Sequence, residues 1–216
     1  MAQAISSRGV REGSVVKRDA ILQAARELFV SDGVERTSVD AVALRAKVSK
    51  RTVYDYYGDK HNLVLAVIEH VGQSLLDSIE AASRAHLSDD AAIVDVDALE
   101  KALVSFVNEV STSTIESSDY TAFMKLVTTD GSQLPELADH RFYDAPEGVL
   151  GERLAHFAQM GLLAVPAPRT AADHFIALSF GLVHNTQGVL GGARPSDVQQ
   201  TIVDGVQAFL RAYAPR

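Results

Sequence analysis

The amino-acid sequence predicts an all-α protein of about nine helices. Along most of the chain, apolar residues recur at intervals of three and four, the spacing of one helix face. No segment shows the strict alternation of apolar and polar residues that a half-buried strand needs. Serine, aspartate, glycine and proline separate the periodic segments at short intervals. The sequence therefore predicts helices joined by brief connections.

The first predicted helix covers about residues 16–31 and ends at Asp32 and Gly33, a common stop signal. Its predicted buried stripe consists of Ile21, Leu22, Ala25, Leu28 and Phe29. Residues 1–14 are polar, contain several Ser and Gly residues, and are expected to form a flexible tail.

Two short helical segments follow within residues 38–60. The first runs from about Ser38 to Ala46, and the second begins after Ser49, whose hydroxyl suits a helix N-cap. The first turn of the second segment carries two cations, Lys50 and Arg51. Cations in a first turn are unfavourable for the helix dipole, so they indicate a negatively charged partner. Two short helices in this order predict a helix-turn-helix with a recognition helix. Opposite the apolar Val53 and Tyr57, that helix would present Lys50, Arg51, Thr52, Tyr54 and Tyr56.

The net charge of −8 is divided unevenly along the 216 residues. Residues 1–61 contain 11 Lys and Arg against 8 Asp and Glu, a net +3, whereas residues 62–216 carry −11 from 9 against 20. The positive charge therefore coincides with the predicted helix-turn-helix, as expected of an electrostatic footprint on nucleic acid.

The rest of the chain is predicted to be helical. A long helix begins at about Asp59, which suits its N-cap, and reaches about His86. We divide the chain into a flexible tail (1–14), a DNA-binding domain (15–61) and a second domain (62–216). Further helices are predicted at about residues 97–112, 118–129, 146–161 and 170–188, and after Ser196.

The N-terminal quarter resembles the DNA-binding end of TetR-family (tetracycline-repressor-like) transcriptional regulators. The resemblance lies in Thr37-Ser38-Val39-Asp40, Val48-Ser49, Thr52-Val53-Tyr54, Tyr56-Tyr57, Asp59-Lys60 and Leu63, and upstream in residues 21–25, Leu28-Phe29 and Gly33. One departure is Lys47, which stands where the family usually has a turn glycine. The resemblance implies a homodimer that binds a palindromic double-stranded operator and is released by a small-molecule effector. The residues that it implies for DNA binding are Ser38, Lys50, Arg51, Thr52, Tyr54, Tyr56 and Lys60.

Those residues divide by expected role. Tyr54 and Lys60 match positions that contact phosphates, and Arg51 suits a bidentate contact to guanine. The alternative is that the recognition helix contacts phosphates alone, which positions a protein without specifying a sequence. Arg8 and Arg11 leave open a second role for the tail, as an arm that reaches the DNA.

The resemblance also implies an effector pocket and a dimer interface in the second domain. Residues 118–188 resemble the C-terminal domains of AcrR-like regulators. The mostly apolar character of the candidate pocket suggests an apolar or amphipathic effector. Candidate ligand-binding residues are Phe106, Tyr120, Phe123, Met124, Phe157, Met160, Phe175 and His184, with Phe142 and His156 as further candidates. A four-helix interface made by the last two helices would use Phe175, Leu182, Ile202, Val206, Phe209 and Leu210.

Several function classes lack support in the sequence. It has no G-x-S-x-G, no Gly-rich phosphate loop and no H-E-x-x-H, so we expect no enzyme, cofactor or metal site. It also lacks cysteine, an apolar run long enough for a membrane span and a signal-peptide core, which fits a cytoplasmic protein. Two alternatives remain open: an enzyme or ligand carrier on a helical scaffold, and a constitutive DNA-binding protein without an effector.

Overall fold

The computed structural model describes residues 2–115, 117–130, 134, 136, 141–182 and 195–215. Within these residues the predicted all-α architecture is confirmed. None of the described helices is long and apolar enough to cross a membrane. The described residues contain nine α-helices: α1 (Ala2–Asp32), α2 (Val39–Arg45), α3 (Lys50–Tyr57), α4 (Lys60–His86), α5 (Val96–Val110), α6 (Ser118–Asp130), α7 (Arg141–Gln159), α8 (Pro168–Ile176) and α9 (Pro195–Tyr213).

Short polar side chains begin several of these helices. Ser38 and Ser49 have extended backbones, and each accepts a hydrogen bond from the backbone N–H three residues on. Asp95 caps α5 in the same way, and Asp59 Oδ1 accepts from the N–H of Asn62 at 2.8 Å. Each cap satisfies a backbone donor that has no partner within its helix. Wider π-helical turns, Ser111–Ile115 and Ala177–Gly181, continue α5 and α8.

The chain forms two compact units. Unit 1 contains Met1–Gln73 and Thr121–Asp139, and unit 2 contains Ser74–Tyr120 and His140–Arg216. The predicted boundary at residue 61 therefore differs from the observed division, because the first half of α4 belongs to unit 1. In unit 1, α1, α2, α3 and α4 share a core whose largest fully buried side chains are Phe29, Ile21, Leu63 and Ile68.

The core of unit 2 is aromatic and aliphatic. It includes residues of α5, α7, α8 and α9. The Phe175 ring meets the Phe209 ring edge-on at 5.2 Å between centroids, and Phe209 stacks on Tyr213 at 4.7 Å. Such pairs stabilise a core beyond the area that they bury. The same residues fix the position of α9 against α8.

Three helix starts differ from their predictions. Helix α1 begins at Ala2, so the backbone of the predicted flexible tail is helical. Helix α7 begins at Arg141, whereas the predicted start is residue 146; Pro146 therefore lies past the first turn and removes one helical hydrogen bond. Helix α8 begins with Pro168, which suits a first turn, and not at the predicted cap Thr170.

Lys47 adopts the left-handed backbone conformation, with φ of 55°. A residue with a Cβ is strained there, and glycine is not. The turn therefore has a positive φ that glycine would favour, although the residue is a lysine.

We expect Lys47→Gly to raise the free energy of unfolding by about 0.5–1 kcal/mol, because relief of the strain exceeds the added entropy of the unfolded chain. Lys47→Ala removes the same charge but keeps the Cβ, and it should give no comparable gain. Urea denaturation at constant m value measures both. Equal stabilisation by alanine and glycine would show that the lysine charge, and not the backbone, is unfavourable.

Candidate functional site

The helix-turn-helix is held together by capping and by a small apolar interface. Val39, Val42 and Ala43 of α2 are buried, as are Val53 and Tyr57 of α3. The Tyr57 hydroxyl donates to the Arg18 carbonyl at 3.4 Å, and burial raises the pKa of this phenol. These contacts fix α3 against α1 and α2, and they leave the opposite side of α3 open.

The open side of α3 carries most of the predicted DNA-binding residues. Lys50, Arg51 and Tyr54 are exposed, and the side chain of Arg51 is 90% accessible. Ser38 is also exposed, at the start of α2, where its hydroxyl accepts from Ala41 N at 3.1 Å. A cationic, hydrogen-bonding surface at the N-terminus of a short helix is suited to a phosphate backbone and a major groove.

The other three predicted residues are half-buried and already engaged. The Thr52 hydroxyl lies 2.8 Å from the Ser49 hydroxyl, and Lys60 Nζ donates to the Glu35 carbonyl at 3.2 Å. The Tyr56 hydroxyl lies 2.9 Å from Ser14 Oγ in α1. Tyr56 therefore also joins α3 to α1, a contact that sequence periodicity does not reveal because 42 residues separate the pair.

Each cation of α2 and α3 lies close to a carboxylate. Lys50 Nζ is 2.8 Å from Asp40 Oδ2, and this hydrogen bond raises the pKa of the lysine. Arg45 pairs with Glu27 at 2.5 Å, which lowers the pKa of that carboxyl, and Arg51 lies 3.8 Å from Asp55. A phosphate group that binds this surface must compete with these internal acids.

We expect Asp40→Asn to strengthen binding to duplex DNA of any sequence, by about fivefold at low salt. One negative charge leaves the surface and Lys50 is released, a change of roughly 1 kcal/mol in water. Fluorescence anisotropy with a labelled duplex measures the affinity. Asp97→Asn in α5 removes the same charge outside the helix-turn-helix and should leave the affinity unchanged; an equal gain would indicate a net-charge effect alone.

The predicted ligand-binding residues are divided between the two units. Phe106, Phe157 and Phe175 are fully buried in the core of unit 2. Tyr120 is half-buried in the same unit, and burial raises the pKa of its hydroxyl. Phe123 and Met124 fall in unit 1, and His184 lies outside the described residues. The side chain of Phe142 also lies outside them.

A pocket of about 320 Å³ lies in unit 2, between α7 and the connection from α4 to α5. Three of the candidate ligand residues, His156, Phe157 and Met160, line it, together with Ser88, Asp89 and Ile93. The contributions of Ser88, Asp89 and Ile93 could not be foreseen, because periodicity does not reveal how a connecting segment packs.

The predicted dimer interface requires a correction. Phe175, Ile202, Val206, Phe209 and Leu210 are buried in the core of the same chain, so their side chains do not form a surface for a second copy. Leu182 differs from them, because it is 43% exposed at the end of the π-helical turn. An apolar stripe shows that a helix face is buried but not which chain covers it.

Two family sequence profiles match the chain. Residues 21–67 match the profile described as bacterial regulatory proteins of the tetR family. Residues 101–215, more than half of the chain, match the C-terminal domain of AefR-like transcriptional repressors. The two matches together include α2, α3 and most of unit 2.

Sequence relatives match about a quarter to a third of the chain. A transcriptional repressor of Mycobacterium tuberculosis H37Rv is 45% identical over 56 residues, 26% of this chain and 30% of that protein. The repressor NicS of Pseudomonas putida KT2440 is 35% identical over 72 residues, 33% of this chain and 34% of that protein. These matches span about a third of each relative's length.

Solved structures resemble the chain over nearly its whole length. A TetR-family regulator from Mesorhizobium loti MAFF303099 superposes with a TM-score of 0.77 at 22% identity, covering 94% of this chain and 98% of that one. The flavonoid-responsive regulator FrrA gives a TM-score of 0.65 at 27% identity, covering 93% and 98%. The fold is therefore shared over nearly the whole length that the superpositions cover.

Proposed function

Because the chain belongs to the tetR family of bacterial regulatory proteins, we propose that it is a DNA-binding transcriptional regulator controlled by a small molecule. One observation carries the proposal: the exposed side of α3 presents Lys50, Arg51 and Tyr54 at a capped helix N-terminus. This surface lies in the positively charged part of an otherwise acidic chain. Binding, and not catalysis, is the activity that we assign to the protein, and the cytoplasm, where bacterial DNA lies, is its proposed location.

Repression is the direction of control that we propose. The profile matched by residues 101–215 is that of a repressor domain, and NicS is described as a repressor. A repressor of this kind binds DNA without its effector and is released when the effector binds. FrrA is described as flavonoid-responsive, which supports a small apolar or amphipathic effector for this chain as well.

The proposed operator is palindromic and is bound by a homodimer. Two recognition helices related by a two-fold axis enter successive major grooves when they lie about one DNA turn apart, roughly 34–36 Å. We place the dimer contact on the surface of unit 2, where Leu182 is 43% exposed. Effector binding would release the DNA by favouring a dimer whose two recognition helices lie at a different distance from each other.

Selection of bound sequences from random duplex DNA tests the DNA-binding proposal. We expect a palindromic consensus for the wild-type protein. Arg51→Ala should weaken binding to it by about 1–3 kcal/mol and relax the preference at one position in each half-site. Lys60→Ala is the comparison, because loss of a phosphate contact weakens binding to all sequences alike and reduces the salt dependence. An unchanged consensus in Arg51→Ala would remove Arg51 from base recognition, and the absence of any consensus would reject the proposal.

Effector control has a separate test. A compound that releases the operator must bind more weakly when the operator is present, by the same factor by which it weakens DNA binding. Compounds are screened for release, and each active compound is titrated with and without the operator. Equal affinities in the two titrations would leave a DNA-binding protein without effector control.

A further inference from the structure

The pocket of unit 2 has an apolar wall and an open rim. Phe157 and Ile93 are buried, whereas Met160 is 49% exposed. A volume of about 320 Å³ is enough for a ligand of roughly ten to fifteen non-hydrogen atoms. The pocket is therefore shaped to cover a small apolar body and to leave one end open to water.

Two basic side chains converge on one carboxylate oxygen of Asp89. Asp89 and His156 line the pocket, and Arg153 contacts Asp89 without being a lining residue itself. Arg153 Nη2 donates to Asp89 Oδ1 at 2.9 Å, and His156 Nε2 lies 3.2 Å from the same oxygen. The Arg153 hydrogen bond and the charge of His156 lower the pKa of the Asp89 carboxyl. The Asp89 side chain is 71% exposed, against 22% for Arg153 and 34% for His156. The two basic groups are thus held closer to the body of unit 2 than the acid, which lies in the connection between α4 and α5.

Only one of the two nitrogens on one edge of the Arg153 guanidinium has an acceptor among the described residues. Its Nη2 binds Asp89, but its Nε, on the same edge, is buried and has no acceptor among the residues that the structure describes. The guanidinium lies over the Phe157 ring, 5.4 Å from the centroid. This edge of an arginine matches the two oxygens of a carboxylate, and a buried donor without an acceptor is unfavourable.

We propose that this pocket binds small amphipathic organic acids. The ligand's carboxylate displaces Asp89 and accepts from both Nε and Nη2 of Arg153, with His156 beside it. Its apolar body lies against Ile93, Phe157 and Met160. In the absence of a ligand, Asp89 occupies part of the same position. The inference rests on the proposed function, in which unit 2 carries the effector site, and it names that site and the class of effector.

Calorimetric titration of the full chain with octanoate tests the inference, without DNA. Octanoate should bind at least tenfold more tightly than octanol or octylamine, which share its apolar body but lack the carboxylate. Equal binding of octanol would overturn the proposal, because the pocket would then recognise the apolar body alone.

Substitutions at Asp89, Asp90 and Arg153 test whether Asp89 competes with the ligand for Arg153. Asp89→Asn removes the competing carboxylate, and octanoate should bind several times more tightly. Asp90→Asn removes the neighbouring exposed acid and should change nothing. Arg153→Lys loses the two-bond geometry and should weaken octanoate about tenfold, with circular dichroism to confirm that the fold is kept. Weaker or unchanged binding in Asp89→Asn would overturn the proposal, since Asp89 would then be an anchor for the ligand or irrelevant to it.

A protein that binds octanoate but no DNA would contradict the proposed function and leave this site standing.

Discussion

Gly205→Ala is expected to destabilise unit 2 by about 3 kcal/mol or more, because the added methyl group has no space. Gly205 is the point at which α9 crosses the π-helical turn Ala177–Gly181. A Cβ there would overlap the Leu178 carbonyl oxygen and lie 2.9 Å from the carbonyl carbon and 3.3 Å from the Ser179 Cα. These are backbone atoms, which cannot turn aside as a flexible side chain does. The two segments must separate, and the surrounding core must loosen.

The matched control is Gly148→Ala in α7. A Cβ at Gly148 meets nothing within 4 Å, so alanine should stabilise the helix by about 0.5–1 kcal/mol. Chemical denaturation monitored by circular dichroism compares the two variants. If Gly205→Ala is no less stable than the wild type, α9 and the π-helical turn do not approach as closely as described.

Phe209→Glu is expected to prevent unit 2 from folding. Phe209 is fully buried between Phe175 and Tyr213. Removal of a buried phenylalanine side chain costs about 3–5 kcal/mol, and the glutamate adds a buried carboxylate without a partner. Together these approach or exceed the whole stability of a typical domain, about 5–15 kcal/mol.

The same variant separates two interpretations of the apolar stripe on α9. If the stripe were a dimer interface, Phe209→Glu would give a folded monomer. Because the stripe is part of the chain's own core, we expect loss of the cooperative thermal transition instead. Leu182→Glu is the control at an exposed position and should stay folded. Analytical ultracentrifugation together with thermal denaturation measures both properties, and a folded Phe209→Glu monomer would contradict the described core.

Local features of the fold could be predicted from the sequence. The predicted N-caps Ser49 and Asp59 are confirmed, because capping depends on residues within one turn of each other. The long helix α4 ends at His86 as predicted, and the core positions Val53 and Tyr57 of α3 are buried. Spacing of three and four residues is enough to identify a buried helix face.

Features that depend on distant residues could not be predicted. The Tyr56–Ser14 contact and the pairing of Asp89 with Arg153 join segments 42 and 64 residues apart. The sequence predicts that the apolar stripe of α9 contacts a second copy of the chain, whereas it packs in the core of its own chain. Periodicity identifies the buried face of a helix but not the element that covers it. The backbone conformation of Lys47 could not be predicted either, since the left-handed region is unfavourable for a lysine and is imposed by the surrounding turn.

The division of unit 1 into two segments has a consequence for the synthesis of the protein. Leu126 and Ala122 of the second segment are buried, Lys125 Nζ donates to the Val30 carbonyl, and Glu136 lies 3.1 Å from His61. The first 73 residues leave the ribosome before this segment exists. At about 5–20 residues per second, the DNA-binding unit waits roughly 3–13 seconds for its missing part. In that interval its unfinished core is exposed to chaperones and proteases, and a fragment ending at Gln73 would keep that exposure permanently.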